Sequence, residues 1–266
     1  MTIFVLYLIC GSIAGFLSGL IGIGGGLVVV PLLNMIFRLQ DTIPPELIMH
    51  LAIGTSLSSI LFTAFSSTYS HAKKGGVLWR YVAGLAPAII GGTISASWLA
   101  ARMSTSGLRL FFVIFLLCIA TQMLFDFYPL PRKSIPGKSV LAAAGFTIGT
   151  VSSLVGLGGG SMSVPFLRWC GVSLRQAVGT SAAISWPLAF AGTAGFITIG
   201  WGDPMLPHGC IGYVSLPATF SIACSSVVLA PLGARLAHSL PLSVLRRFFA
   251  AFLYVTAGEM LWNILH

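Results

Sequence analysis

Apolar residues dominate eight stretches of the chain, at 3–37, 46–70, 78–101, 108–128, 138–170, 176–200, 211–230 and 244–264, and most charged side chains fall between or at the ends of them. Six of these stretches have the length of a single bilayer crossing, about 20 residues. Long apolar runs of this kind predict membrane helices, not the one-sided helices of a soluble core. The first and fifth stretches are too long for one crossing, and both contain a dense run of glycines. Each glycine in a helix costs about 1 kcal/mol relative to alanine, so both stretches are expected to break there. Composition agrees with the pattern: 56% of the 266 residues are hydrophobic and 7% are charged, against about 25% charged in a soluble domain. An all-α polytopic membrane protein is therefore expected. The opening MTIFVLYLICGSIAGF has no basic start and no clear cleavage site, and is read as a retained first helix. The five cysteines show no paired spacing and are expected to be apolar fillers.

The glycine runs are copies of each other. GFLSGLIGIGGGLVVVP at 15–31 recurs as GTVSSLVGLGGGSMSVP at 149–165, so Gly15, Leu20, Gly22, Gly24, Gly25, Gly26, Val30 and Pro31 all return. A second pair follows in the same order, AIGTS at 52–56 and AVGTS at 177–181. A weaker third pair is Ala101-Arg102 with Leu108-Arg109, against Ala234-Arg235 with Leu245-Arg246. Three matches in one order indicate a duplicated unit. The expected repeats are 1–130 (hairpin 3–37, helices 46–70, 78–101 and 108–128) and 139–266 (hairpin 139–170, helices 176–200, 211–230 and 244–264). A polar, proline-rich linker at 131–138 joins them.

Charge orients the repeats. If each long segment crosses once, the halves are parallel, and six basic residues face eight across the membrane. If each folds back at its glycines, the second half is inverted. Lys73, Lys74, Arg80, Arg132, Lys133, Lys138, Arg168, Arg175, Arg235, Arg246 and Arg247 then share one side. Arg38, Arg102 and Arg109 remain on the other, with Asp41, Glu46, Asp203 and Glu259. Eleven against three is the asymmetry of the positive-inside rule. The expectation is thus two inverted-topology repeats in the inner membrane, each a glycine-broken hairpin plus three membrane helices. The linker is cytoplasmic and both termini are outside.

A helix broken at membrane depth needs protein or a watery cavity around it. The second half of a broken helix begins with unpaired N–H groups at the positive end of its dipole. Glycine lets an anion approach that backbone closely. Arms starting from opposite faces can bring their tips together near the midplane, as transporters with inverted repeats do. The expected binding groups are the amides of Gly24, Gly25 and Gly26 and of Gly158, Gly159 and Gly160, with the hydroxyls of Thr55, Ser56, Ser161, Thr180 and Ser181. A dinucleotide loop is excluded, because no strand precedes the run and no acid follows about twenty residues on. Glu259 is the candidate coupling carboxylate, and Asp126 is the other acid near a helix end. Asn34, Gln122 and Gln176 are expected at helix ends or in packing. Arg175 is expected to mark the cytoplasmic end, with attraction of anions as the alternative role. Trp186, before Pro187 in mid-helix, is a candidate pathway residue. The five histidines lack HxxxH or HExxH spacing, so no metal is expected; nor is a cofactor or nucleic acid.

The doubled glycine–proline motif, each copy followed by GTS, resembles the TauE/SafE family of sulfite exporters and sulfonate-uptake permeases. The resemblance covers nearly the whole chain. It implies an inner-membrane transporter of sulfite or an organosulfonate, and it places the family's motif glycines on Gly22, Gly24, Gly25, Gly26, Gly156, Gly158, Gly159 and Gly160; alternating access between the two inverted halves is the expected mechanism. The second copy departs from the first, with Ser161-Met162-Ser163 where the first has Leu27-Val28-Val29. The rival readings are a passive anion channel on the same backbone sites and a permease for an unrelated organic anion. An intramembrane serine protease is disfavoured, since Ser56 and Ser181 have no histidine at matching depth. Proton or sodium coupling and oligomeric state are left open.

Overall fold

The computed structural model describes residues 2–21, 25–125, 137–237 and 242–265. Among the described residues there are ten α-helices: α1 Thr2–Ile21, α2 Gly26–Arg38, α3 Ile48–Lys73, α4 Trp79–Ala100, α5 Thr105–Phe125, α6 Lys138–Val155, α7 Gly160–Trp169, α8 Leu174–Ile199, α9 Leu216–Ala237 and α10 Leu242–Leu265. Helices α3, α4, α5, α6 and α8 are each long and apolar enough to cross a membrane. Large apolar side chains such as Phe65, Trp98, Phe190 and Val255 point outward, giving the surface that a lipid solvent requires.

Both long apolar stretches are interrupted at their glycines. The first becomes α1 and α2, with Gly22 and Gly24 outside the described residues. The second becomes α6 and α7. Gly156 closes α6 at φ +72°, with Leu157 N–H donating to Ser152 O and Gly156 N–H to Ser153 O. This pairing is a Schellman motif, and its left-handed position favours glycine. Gly159, at φ +76°, then caps the start of α7. Pro31 in α2 and Pro165 in α7 lack the N–H that would bond the carbonyls of Leu27 and Ser161.

The other six helices overlap the expected stretches, with ends shifted by a few residues. The exception is 211–230. There a two-stranded hairpin, β1 Cys210–Ile211 and β2 Val214–Ser215, precedes α9 and delays its start to Leu216. Residues 131–136 of the expected linker and Asp126 lie outside the described residues.

Packing is exchanged between the two halves. Helix α1 lies along α9, while α6, which corresponds to α1, lies along α4, which corresponds to α9. Both pairs approach backbone to backbone at glycines. A Cβ on Gly15 would stand 2.5 Å from Ser226 Cα, and one on Gly145 would stand 2.9 Å from Leu85 O. Corresponding helices also pack on each other and run antiparallel. On α3 and α8, Gly54 meets Phe196, Leu57 meets Gly192, and His71 meets Gly179. On α5 and α10, Thr121 bonds Tyr254 at 2.7 Å and Arg109 reaches Asn263 O at 3.3 Å.

A cavity between the two helix breaks

The tips of the two breaks touch. A Cβ on Gly26 would come within 2.5 Å of Gly156 O, and one on Gly156 within 2.8 Å of Val30 Cγ2. Beside this contact lies a cavity of about 470 Å³. Gly25, Gly158 and Gly160 line it with backbone, α3 contributes Ser59, Thr63, Ser66, Ser67 and Ser70, and α8 contributes Ser181 and Ser185. Ser18 and Ser226 line it from α1 and α9, Ser226 with its hydroxyl donated to Gly11 O at 2.8 Å, and Ile60, Val29 and Val178 add apolar wall. His71 and Lys74, at the end of α3, also line it. Among the described residues of this lining there is no carboxylate.

Helix starts account for the donors. The first bonds of α2 run from Val28 and Val29 N–H to Gly25 O, at 3.0 and 2.9 Å, and those of α7 from Met162 and Ser163 N–H to Gly159 O, at 3.2 and 2.8 Å. The amides of Gly26, Leu27, Gly160 and Ser161 therefore stand in the first turn, where a helix has no acceptor of its own to offer. Ser161 Oγ, at the start of α7, is buried without a partner. Ser163 and Ser181 share a hydrogen bond at 2.6 Å. Ser185 Oγ donates to Ser181 O at 2.8 Å and also to Gly158 O, tying α8 to the break.

The expected site residues divide. Gly25, Gly158, Gly160 and Ser181 are on the cavity wall; Gly26 and Gly159 adjoin it, and Gly24 lies outside the described residues. Thr55, Ser56 and Thr180 are buried off the wall, with their hydroxyls already engaged. Ser215 N–H donates to Thr55 Oγ1 at 3.0 Å, and Leu78 N–H to Thr180 Oγ1 at 2.9 Å. Ser56 Oγ donates to Gly156 O at 2.8 Å. The two GTS threonines thus do the same work in each half: each holds the backbone just before the fourth helix of the other half. Gly54 and Gly179 make room for it, since a Cβ there would overlap the carbonyl oxygens of Tyr213 and Gly76.

Glu259 is exposed on α10, bonded by Asn263 Nδ2, and not on the cavity wall. Trp186 stacks on Phe190 on the outer surface, 43% exposed, so it does not line this cavity. Arg175 donates to Lys74 O at 3.5 Å, which places it beside the mouth. Sequence reasoning passed over the serine row of α3 and Ser185. The signal was present: Ser59, Thr63, Ser66, Ser67 and Ser70 follow helical spacing inside an apolar stretch.

The long apolar helices, packed around an open cavity lined by hydroxyls and apolar side chains, define a multi-pass membrane protein. The family model for the sulfite exporter TauE/SafE matches residues 7–260, and the chain belongs to that family. A Haemophilus influenzae "Probable membrane transporter protein" is 38% identical over 262 residues, covering 97% of this chain and 98% of its own. The "Probable membrane transporter protein YdhB" of Bacillus subtilis is 29% identical over 209 residues, 72% of this chain and 78% of its own. The "Probable membrane transporter protein MJ0441" of Methanocaldococcus jannaschii is 28% identical over 260 residues, 96% of this chain and 94% of its own.

Proposed function

We propose that the chain carries a small sulfur-containing anion, sulfite or an organosulfonate, across the inner membrane by alternating access, with the cavity between the breaks as its binding site. The observation that carries this reading is the lining: hydroxyls, the bare backbone of Gly25, Gly158 and Gly160 at the breaks, one lysine, one histidine and no carboxylate among the described residues. Such a wall rejects cations and solvates an oxyanion with neutral donors, which release it more readily than a buried arginine would. Its apolar patch of Ile60, Val29 and Val178 suits the alkyl part of a sulfonate.

The inverted repeat belongs to this proposal. Corresponding helices that pack antiparallel, α3 with α8 and α5 with α10, support a two-fold axis in the membrane plane. An axis along the membrane normal would make them run the same way. The charge count points the same way, and it puts the Lys74 mouth on the cytoplasmic face with both termini outside.

Transport by full-length protein in liposomes tests the proposal. Wild type is expected to accumulate sulfite or a short alkylsulfonate against its gradient when a proton or sodium gradient is imposed. Gly25→Leu has room at the Cβ, whose nearest neighbours lie 3.9 Å away, and should fold while blocking the wall. Ser181→Ala should weaken anion affinity by about tenfold, the loss of one hydrogen bond to a charged ligand. Anion binding at wild-type strength in both variants would remove the site. Uptake that no ion gradient drives uphill would favour the channel.

A further inference from the structure

Helix α2 leads away from the cavity to a second hollow. At 1.5 Å per residue, Asn34 stands about 12 Å and Arg38 about 18 Å beyond Gly26. Arg38 lines a space of about 370 Å³ together with Gln40, Asp41, Pro45, Ile48 and Arg109. Arg109 comes from the first turn of α5 and is only 8% exposed. Its η nitrogens donate to Asn34 Oδ1 at 3.5 Å and to Asn263 O at 3.3 Å, but its Nε has no partner. Asn34 is fully buried, and its Nδ2 also has no partner.

Arg38 and Arg109 bring two guanidinium groups to this hollow, the chemistry that holds an oxyanion, while Arg109 Nε and Asn34 Nδ2 are buried away from it. Three acids stand nearby, and Glu46, next to Pro45, is exposed. Glu259, whose charge acts on Arg109, is bonded by Asn263. Asp41 is exposed at the rim. Asn34 and Arg109 are also joined through α2 to the glycine tip, so one helix carries both the central wall and this outer hollow.

We propose that this hollow is a second anion site on the face opposite the Lys74 mouth, where an oxyanion docks on its way to or from the cavity. The identification of its ligand as the transported anion rests on the transport reading; its preference for anions does not.

The test is thiol reactivity at its rim in full-length, cysteine-free protein carrying Pro45→Cys. With each rate divided by the same reagent's rate with a small free thiol, the anionic reagent methanethiosulfonate ethylsulfonate should react faster than its cationic trimethylammonium counterpart, by about fivefold or more for a nearby unpaired guanidinium. Arg109→Gln and Arg38→Gln should each bring the ratio towards one, and Arg109→Lys should keep it. Millimolar methanesulfonate, which does not attack the reagent, should slow the anionic reagent. A ratio at or below one, or a ratio that neither glutamine variant moves, overturns the site; Arg38→Gln decides if Arg109→Gln does not fold. The measurement needs no turnover, so absence of sulfite transport leaves it decisive. A high ratio without protection by methanesulfonate upholds an anion site and rejects the sulfonate as its ligand.

Discussion

Thr55→Val separates the two roles that a buried hydroxyl in an apolar helix can play. Valine matches threonine in shape, so the change leaves no void. It does remove the acceptor of Ser215 N–H, 3.0 Å away in a buried setting where water cannot replace it. Leaving a buried donor unsatisfied costs about 1–3 kcal/mol, which is about a 5- to 150-fold change in the folding equilibrium. Thr180→Val removes the acceptor of Leu78 N–H. That site is only partly buried, so its loss should fall at the lower end. The two bonds have no shared partner, and the double variant should show their sum. Unfolding of the bicelle-embedded protein by added SDS gives the equilibrium, and a binding titration with sulfite or a sulfonate gives affinity. The expected result is lower stability with affinity within about twofold of wild type, because neither hydroxyl reaches the cavity. Wild-type stability with affinity lowered tenfold or more would refute the structural role and return both threonines to the substrate site.

Two further outcomes follow from the geometry. Gly156→Ala should destabilise the protein by more than the roughly 1–2 kcal/mol of a left-handed alanine, since its Cβ also meets Val30 Cγ2 at 2.8 Å; Gly91→Ala, in mid-helix with nothing within 4 Å, should stabilise by up to about 1 kcal/mol, and the same SDS titration compares them. Burial pushes the Cys210 thiol up to about 11, so maleimide labelling there should be slow at neutral pH and rise about tenfold per pH unit until the thiolate forms near that value.

Much of the fold was legible in the amino-acid pattern, and for a physical reason. Apolar length and glycine density act locally: a helix cannot run through Gly156 and Gly159 when both take positive φ, whatever surrounds them. The duplicated order made each half a check on the other. The partner of a hydroxyl is not local in this sense. Thr55 meets a backbone N–H 160 residues away, and its sequence surroundings would look the same if it faced a cavity. The hairpin at 210–215 was missed because two-residue strands carry too little periodicity to register against an apolar background. The close packing of α1 on α9 and of α6 on α4 was half visible. Gly11 and Gly15 recur as Gly145 and Gly149 at the same spacing, the pattern by which membrane helices approach closely, but only the second of each pair was noticed as part of the repeat.

If the chain works by the alternating access proposed above, the exchanged contacts limit how it can do so. If the two repeats rocked as separate bodies, α1 would slide on α9 and α4 on α6, across surfaces where glycines bring backbone within contact of backbone. The motion would also break both threonine bonds, each of which ties one repeat to the other. Those contacts are close-packed and cannot deform gradually. Under that proposal the units that move as wholes are mixed, with α1 travelling with α9 and α6 travelling with α4. The sliding surfaces are then those around the cavity, where α3 and α8 present serines and the breaks present bare glycine backbone. A wall of small side chains and hydroxyls can exchange hydrogen bonds with little steric cost as it moves. Under the same proposal the glycine tips have two linked roles, since the absence of side chains that would open amides to an anion would also let the two halves of the site part.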